Sequence, residues 1–142
     1  TIMRWTNTAP AGGESDHLAA FYDLMATVCD LAGVHPPDDT NGISFAPTLM
    51  GGEQPQHEYL YWESQQTSEM GWDEGRKQAV RKGDWKLIRF LRPARIELYN
   101  LANDPGEHYN LADDYPGMVA ELLDHMEEAH VYNPLFPLPF EE

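Results

Sequence analysis

The 142-residue chain has one cysteine, nine basic residues against 24 acidic ones, and no apolar run near the roughly 18–20 residues a membrane helix needs. Each scarcity excludes something. A lone cysteine rules out a disulfide framework and a thiolate metal cage. Cys29 lies in Val28-Cys29-Asp30-Leu31 on an apolar helical stripe, where a free cysteine behaves as a small hydrophobe, so a buried structural thiol is expected. The composition, 42% hydrophobic, is that of a soluble globular chain of one ordinary domain's length, with no membrane segment. Initiating Met and secretory leader are both missing, so a processed product or a cut piece of something longer would explain the start at Thr1.

Positive charge is rare and sits in one place. Eight of the nine Lys and Arg lie between Arg76 and Arg95, where Asp84 is the only acid, so the net charge of −15 for the whole chain conceals a remainder that is almost purely acidic. Such a balance repels phosphodiester backbones, which makes nucleic acid an unlikely partner. The basic strip has two readings: a solvated hairpin face paired with acidic neighbours, or a contact for a sulfated sugar.

Catalytic signatures are absent too. The six histidines, at 17, 35, 57, 108, 125 and 130, show no paired metal spacing, and the chain has no EF-hand loop, Gly-x-Ser-x-Gly elbow, Walker loop or dinucleotide fingerprint. His108, inside a turn sequence, reads as a turn residue. Neither catalytic residues nor metal ligands are therefore assigned in this chain.

What is present is a pattern of short elements. Leu18, Phe21, Met25, Val28 and Ala32 recur at three- and four-residue steps before Gly33, the pattern of an amphipathic helix closed by a C-cap glycine, while Thr1 to Trp5 is strand-like. Pro36 to Gly42 is turn-rich, and Gly51-Gly52 marks a hinge. Residues 58–63, 77–81, 85–90 and 96–101 are rich in aromatic and β-branched residues and predict four antiparallel strands, with Lys82-Gly83-Asp84 as a tight hairpin connection. The link from Ser64 to Gly75, with Met70 and Trp72, predicts an irregular loop. Asp114 and Pro116 open a last helix with Met118, Leu122 and Met126 on one face, and the Pro134–Phe140 tail is too proline-rich for helix and is expected to lie extended over the surface.

Four pieces in order carry a family resemblance: Tyr-Leu-Tyr-Trp-Glu at 59–63, Gln-Ala-Val-Arg-Lys-Gly-Asp-Trp-Lys-Leu-Ile at 78–88, Glu-Leu-Tyr-Asn-Leu at 97–101 and Asp-Pro-Gly-Glu-His-Tyr-Asn-Leu-Ala at 104–112. Together they resemble the C-terminal subdomain of a sulfatase, a sulfate-ester hydrolase. The resemblance implies an α+β fold: a small four-stranded antiparallel sheet with a packed C-terminal helix, preceded by the last strand and helix of a sulfatase α/β domain. Residues 1–50 would be the closing edge of the catalytic domain and residues 51–142 the C-terminal subdomain. On that division Asp16 to Tyr22 is a strand and Asp23 starts the helix, its carboxylate placed to cap the orphan N–H groups. Ala26 stands where the family usually has proline.

The resemblance also implies a calcium site and a formylglycine nucleophile in the complete enzyme, N-terminal to this chain, because Cys29-Asp30-Leu31-Ala32-Gly33 matches no modification signal. The partner would be that missing catalytic domain, and the isolated chain would be inactive and prone to self-association. Glu63, Gln65, Arg76 and Lys77 become candidate substrate contacts near the active-site mouth, since an Arg fork matches sulfate oxygens. Some relatives have Phe-His after Trp-Glu, where this chain has Ser64-Gln65. Substrates implied are sulfate esters, plausibly on a carbohydrate, and a periplasmic or extracellular setting. Two alternatives stay open: a free-standing, non-catalytic module for anionic glycans, and part of a related phosphonate or phosphate monoester hydrolase.

Overall fold

Four strands pair in chain order, each antiparallel to the next: β1 (Leu60–Gln65), β2 (Arg76–Lys82), β3 (Trp85–Leu91) and β4 (Ala94–Asn100). They are seen in a computed structural model that describes residues 1–65, 76–135, 137 and 138, and in which residues 1–58 and 59–142 form separate units. All four strands lie where the sequence expects them. β1 continues through Ser64 and Gln65, which were expected in the loop, and residues 66–75 of that loop lie outside the described residues. Lys82 faces Trp85 across the β2–β3 hairpin, leaving the two-residue turn Gly83-Asp84. Gly83 has φ +56°, the left-handed region that a side chain disfavours.

Alternation along the strands decides what each face carries. Val80, Leu87 and Leu98 stand side by side in register on one face, and the helix α3 (Pro116–Ala129) lays Leu122 and Met126 against them; all five are fully buried. Each such side chain contributes about 1.5–3 kcal/mol of burial, which makes this cluster the core of the second unit. Pro116 fills the first helical position, where a missing N–H costs nothing. Tyr115, not Asp114, is the N-cap, and no side chain caps the helix.

The Asp-Pro-Gly-Glu segment has a structural explanation. One Asp104 carboxylate oxygen accepts the backbone N–H groups of His108 and Tyr109 at 2.8 and 2.9 Å, closing the turn. Asn110 then uses its side-chain amide as a substitute strand: its Oδ1 accepts Leu98 N–H at 2.9 Å, and its Nδ2 donates to the Ile96 carbonyl at 3.1 Å. In the tail, residues 136 and 139–142 lie outside the described residues, and Leu138 is fully buried rather than spread over the surface.

The first unit contains α1 (Asp23–Ala32) and a short α2 (Ala46–Met50) that sequence periodicity does not reveal. Gly33 closes α1 at φ +69°, with its own N–H and that of Val34 reaching Asp30 and Cys29 carbonyls. The expected strands Thr1–Trp5 and Asp16–Tyr22 do not form. A strand is defined by a ladder partner, and the described residues offer neither segment one.

Asp23 also departs from expectation. Tyr22 is the N-cap residue, without a side-chain cap, and the buried Asp23 carboxylate serves other donors. Oδ2 accepts Ala20 N–H at 2.6 Å, while Oδ1 lies 2.9 Å from Ile43 N and 2.7 Å from His57 Nε2. Thr27 Oγ1 donates to the Asp23 carbonyl and accepts Phe45 N–H. Gly42 is needed for this approach, because a Cβ there would come within 2.3 Å of the Tyr22 carbonyl oxygen. The buried side of α1 is thus Asp23, Ala26 and Thr27, which leaves Cys29 only half-buried instead of sealed in a core.

Candidate functional site

The four proposed contact residues gather at one end of the β1–β2 pair, but the pleat divides them. Glu63 faces Gln78, Ser64 faces Lys77 and Gln65 faces Arg76 in the register. Arg76 and Gln78 are two residues apart, so Arg76 shares the face of Glu63, and Lys77 takes the opposite face. The nearby sequence positions therefore serve two surfaces.

On the α3 side, Glu63 is the centre of a polar network. Its Oε1 accepts the Tyr61 hydroxyl, Gln78 Nε2 at 3.3 Å and His130 Nδ1 at 2.5 Å. Gln78 Nε2 also donates to the Tyr61 oxygen at 2.5 Å, and its Oε1 takes Arg89 Nε and Nη2 at 2.9 and 2.5 Å. Arg89 Nη1 reaches Glu127 at 2.5 Å. Burial, reinforced by the bond to Glu63, pushes the Tyr61 hydroxyl well above the ordinary tyrosine range and keeps it a donor. Gln78 is fully buried, and every polar atom of its amide is used, as a buried amide requires. The result is a carboxylate pinned through one oxygen.

The opposite face is a cationic and aromatic surface. The Arg95 guanidinium sits 3.4 Å over the Phe90 ring and Lys77 Nζ 5.6 Å from the same centroid, both within cation–π reach. Arg95 pairs with Glu97 at 2.9 Å, and Glu97 also accepts the Tyr99 hydroxyl, whose pKa burial and that bond raise to about 12. Elsewhere in the strip Lys82 pairs with Glu121, Lys86 with Glu107 and Arg89 with Glu127. Pairing with acidic neighbours therefore describes Lys82, Lys86, Arg89 and Arg95, half of the strip's eight cations. His108 lies 3.1 Å from Asp104 in its turn and joins no site.

Sequence reasoning missed Tyr61, Gln78, Arg89 and His130. Tyr61 and Glu63 are two residues apart in a strand, and Gln78 interrupts an apolar face, which are usable signals. His130 has none, since it reaches Glu63 only after α3 has crossed the sheet. Among the described residues no group of three His, Cys, Asp or Glu could hold a metal, and this donor set does not suit calcium.

Known proteins resemble this chain in sequence and fold. The family profile for the C-terminal region of N-sulphoglucosamine sulphohydrolase matches residues 1–131. A Delta 4,5-hexuronate-2-O-sulfatase of Bacteroides thetaiotaomicron is 41% identical over 117 residues, covering 77% of this chain and 24% of that protein. A solved structure in complex with its substrate D-glucosamine-2-N,6-O-disulfate superposes with TM-score 0.61 at 30% identity, over 75% of this chain and 22% of that one. The phosphonate monoester hydrolase of Agrobacterium radiobacter superposes with TM-score 0.57 at 26% identity, over 77% and 25%. The chain thus spans about a quarter of the length of these relatives. With the four sequence pieces, the sheet and α3 all falling inside the matched region, this chain belongs to the sulfatase family and corresponds to its C-terminal portion.

Proposed function

We propose that this chain is the C-terminal part of a hydrolase that removes sulfate from a sulfated carbohydrate, completing the mouth of an active site whose core lies in the rest of a longer protein. The 41% identity to a hexuronate sulfatase carries the substrate class, and the neighbour bound to a disulfated glucosamine supports it. The bond-breaking chemistry, with the calcium and formylglycine used by the family, belongs to the catalytic body. This chain's own contribution is recognition. Glu63, held by Tyr61, Gln78 and His130, is a pre-set acceptor for a sugar hydroxyl, while Gln65, Arg76 and Lys77 at the same end of the sheet supply donors to sugar or sulfate oxygens.

Support for the division of labour comes from α1. Its buried side is polar, and Phe21 at its entry, Met25 and Val28 are 89%, 54% and 60% exposed. Such a surface suits a neighbour that supplies apolar cover. We also infer a periplasmic or extracellular setting from the family resemblance.

In the full-length enzyme, Arg76→Ala or Lys77→Ala should raise KM for a sulfated oligosaccharide more than for a small aryl sulfate, because only the larger substrate reaches past the sulfate pocket. Equal effects on both, or none, would remove the contact assignment. The 142-residue chain alone should not hydrolyse an aryl sulfate with or without calcium; turnover surviving repurification would overturn the reading. The likeness to a phosphonate monoester hydrolase favours a second reading, tested by offering the full-length protein a phenyl phosphonate monoester beside the sulfate.

A further inference from the structure

At the far end of β2 from Arg76, about 20 Å away at roughly 3.3 Å per strand residue, the second unit has a cleft of about 260 Å³. Trp85 at the start of β3, Tyr109 after the Asp104 turn and Tyr115 before α3 form its aromatic walls, and Asn100, Asn103 and Asp104 contribute polar edges. Trp85 and Tyr115 touch with ring centroids 5.0 Å apart and planes inclined by 53°. Tyr109 is 75% exposed. Glu63 and its network play no part here.

The free hydrogen-bonding groups define what could bind. Asn100 Oδ1 is occupied by the Asn103 backbone and side-chain amides, and Asp104 is engaged by His108 and Tyr109. Among the described residues, the Trp85 indole N–H, the Tyr109 and Tyr115 hydroxyls and the Asn100 amide N–H group have no protein partner. The cleft therefore offers flat apolar rings edged by neutral donors. No Lys or Arg lines it, and Asp84 and Asp114 adjoin its walls in sequence, which opposes a sulfated ligand. An ammonium ligand would want the Asp104 carboxylate, whose Oδ2 already accepts the His108 and Tyr109 backbone N–H groups and whose Oδ1 lies 3.1 Å from His108 Nδ1.

We infer that this cleft is a binding site for an unsulfated pyranose residue. The apolar C–H face of the sugar would stack on Trp85 or Tyr109, with its hydroxyl oxygens accepting from the indole, phenol and amide donors, the combination of apolar body and polar tip that makes Tyr and Trp effective at wet interfaces. Resting on the glycan reading above, the site would grip a neutral stretch of a substrate chain at a distance from the sulfate being removed.

The test titrates the 142-residue chain with neutral β-1,4-galactohexaose, following the Trp85 indole N–H by NMR. The same hexaose carrying chemical sulfate, and tetramethylammonium chloride, run beside it. Saturable shifts are expected with the neutral sugar at millimolar concentration, weaker shifts with the sulfated one and none with the ammonium salt. Tyr109→Ala and Tyr115→Ala should each weaken binding about three- to tenfold. Tyr109 is exposed enough that its removal leaves the fold intact, and Arg76→Ala should change nothing. An unsaturable response, preference for the sulfated or ammonium probe, or binding insensitive to Tyr109 would overturn the site. Sulfatase assays of the full-length enzyme, run separately, keep the two ideas apart: an active enzyme with a silent Trp85 sinks only this site, and sugar binding beside an inactive enzyme sinks only the proposed activity.

Discussion

The helices of the two units turn different kinds of face inward. In residues 59–142 the helix α3 turns Leu122 and Met126 inward onto Val80, Leu87 and Leu98, the usual arrangement for a helix on a sheet. In residues 1–58 the helix α1 turns Asp23, Ala26 and Thr27 inward and leaves Met25 and Val28 facing out. One unit is held by apolar contact, and the other joins a small apolar set, Ala26, Phe45 and Ala46, to hydrogen bonds at the buried Asp23 and Thr27. The lesson is that the second unit contains its own reason to fold, whereas the first contains half of one.

The contrast is most sharply broken at Asp23. Asp23→Ala leaves His57 and two backbone N–H groups without their acceptor and should cost the first unit about 2–5 kcal/mol, at about 1–3 kcal/mol for each buried group left unsatisfied. Segment-resolved hydrogen exchange should show residues 15–58 unprotected while the 85–90 strand is unchanged. Equal loss in both segments would mean that the units fold as one.

The reverse experiment is Leu98→Ala. It removes a fully buried side chain from the centre of the sheet and should destabilise the second unit by about 2–5 kcal/mol, read as a lower urea midpoint. Sparing the exchange of α1 is the expected companion result.

Substitution on the outer side of α1 tests what that face is for. Met25→Lys with Val28→Lys touches nothing buried, so stability should move by no more than about 0.5 kcal/mol. Self-association of the isolated chain, expected from the apolar surface, should fall in sedimentation. A wild-type chain that is strictly monomeric, with residues 15–33 exchanging as slowly as 85–90, would instead mark the first unit as self-sufficient.

The smallest effect is set by pH. The Tyr109 backbone N–H, with help from His108, holds the Asp104 carboxyl below its usual range. A depressed folded pKa stabilises above the unfolded value of about 3.9 and is lost as pH falls through the folded one. The Tyr109 amide should therefore lose protection, measured against its intrinsic exchange rate, only as the pH drops below about 4, and Asp104→Asn should remove that dependence.

What the sequence made legible follows the same division. The four strands and α3 were readable because each element's apolar pattern is satisfied inside the unit, and Gly83 marked its hairpin. Asp16–Tyr22 and Thr1–Trp5 carry strand composition without a partner to make it structure. Periodicity along Leu18 to Ala32 runs past the start of α1 at Asp23, leaving Leu18 and Phe21 outside the helix, and its usual implication, that the apolar side faces inward, fails because Gly42 lets the backbone approach the polar side. At the candidate site, register could divide Glu63 from Lys77 once the strands were known. The reach of His130 could not be read, since it depends on the length and path of a helix.

That dependence makes α3 a ruler. Its core contacts end at Met126, and His130 follows directly after the last helical residue, Ala129. One residue inserted between these points would advance the chain by about 1.5 Å and rotate everything beyond by about 100°, swinging the imidazole off Glu63 without disturbing Leu122 or Met126. Drift in helix length is harmless at most helix ends. Here it would detune a carboxylate at the edge of the same sheet face that α3 covers, so the Glu63 contact depends on a count of residues as well as on their identities.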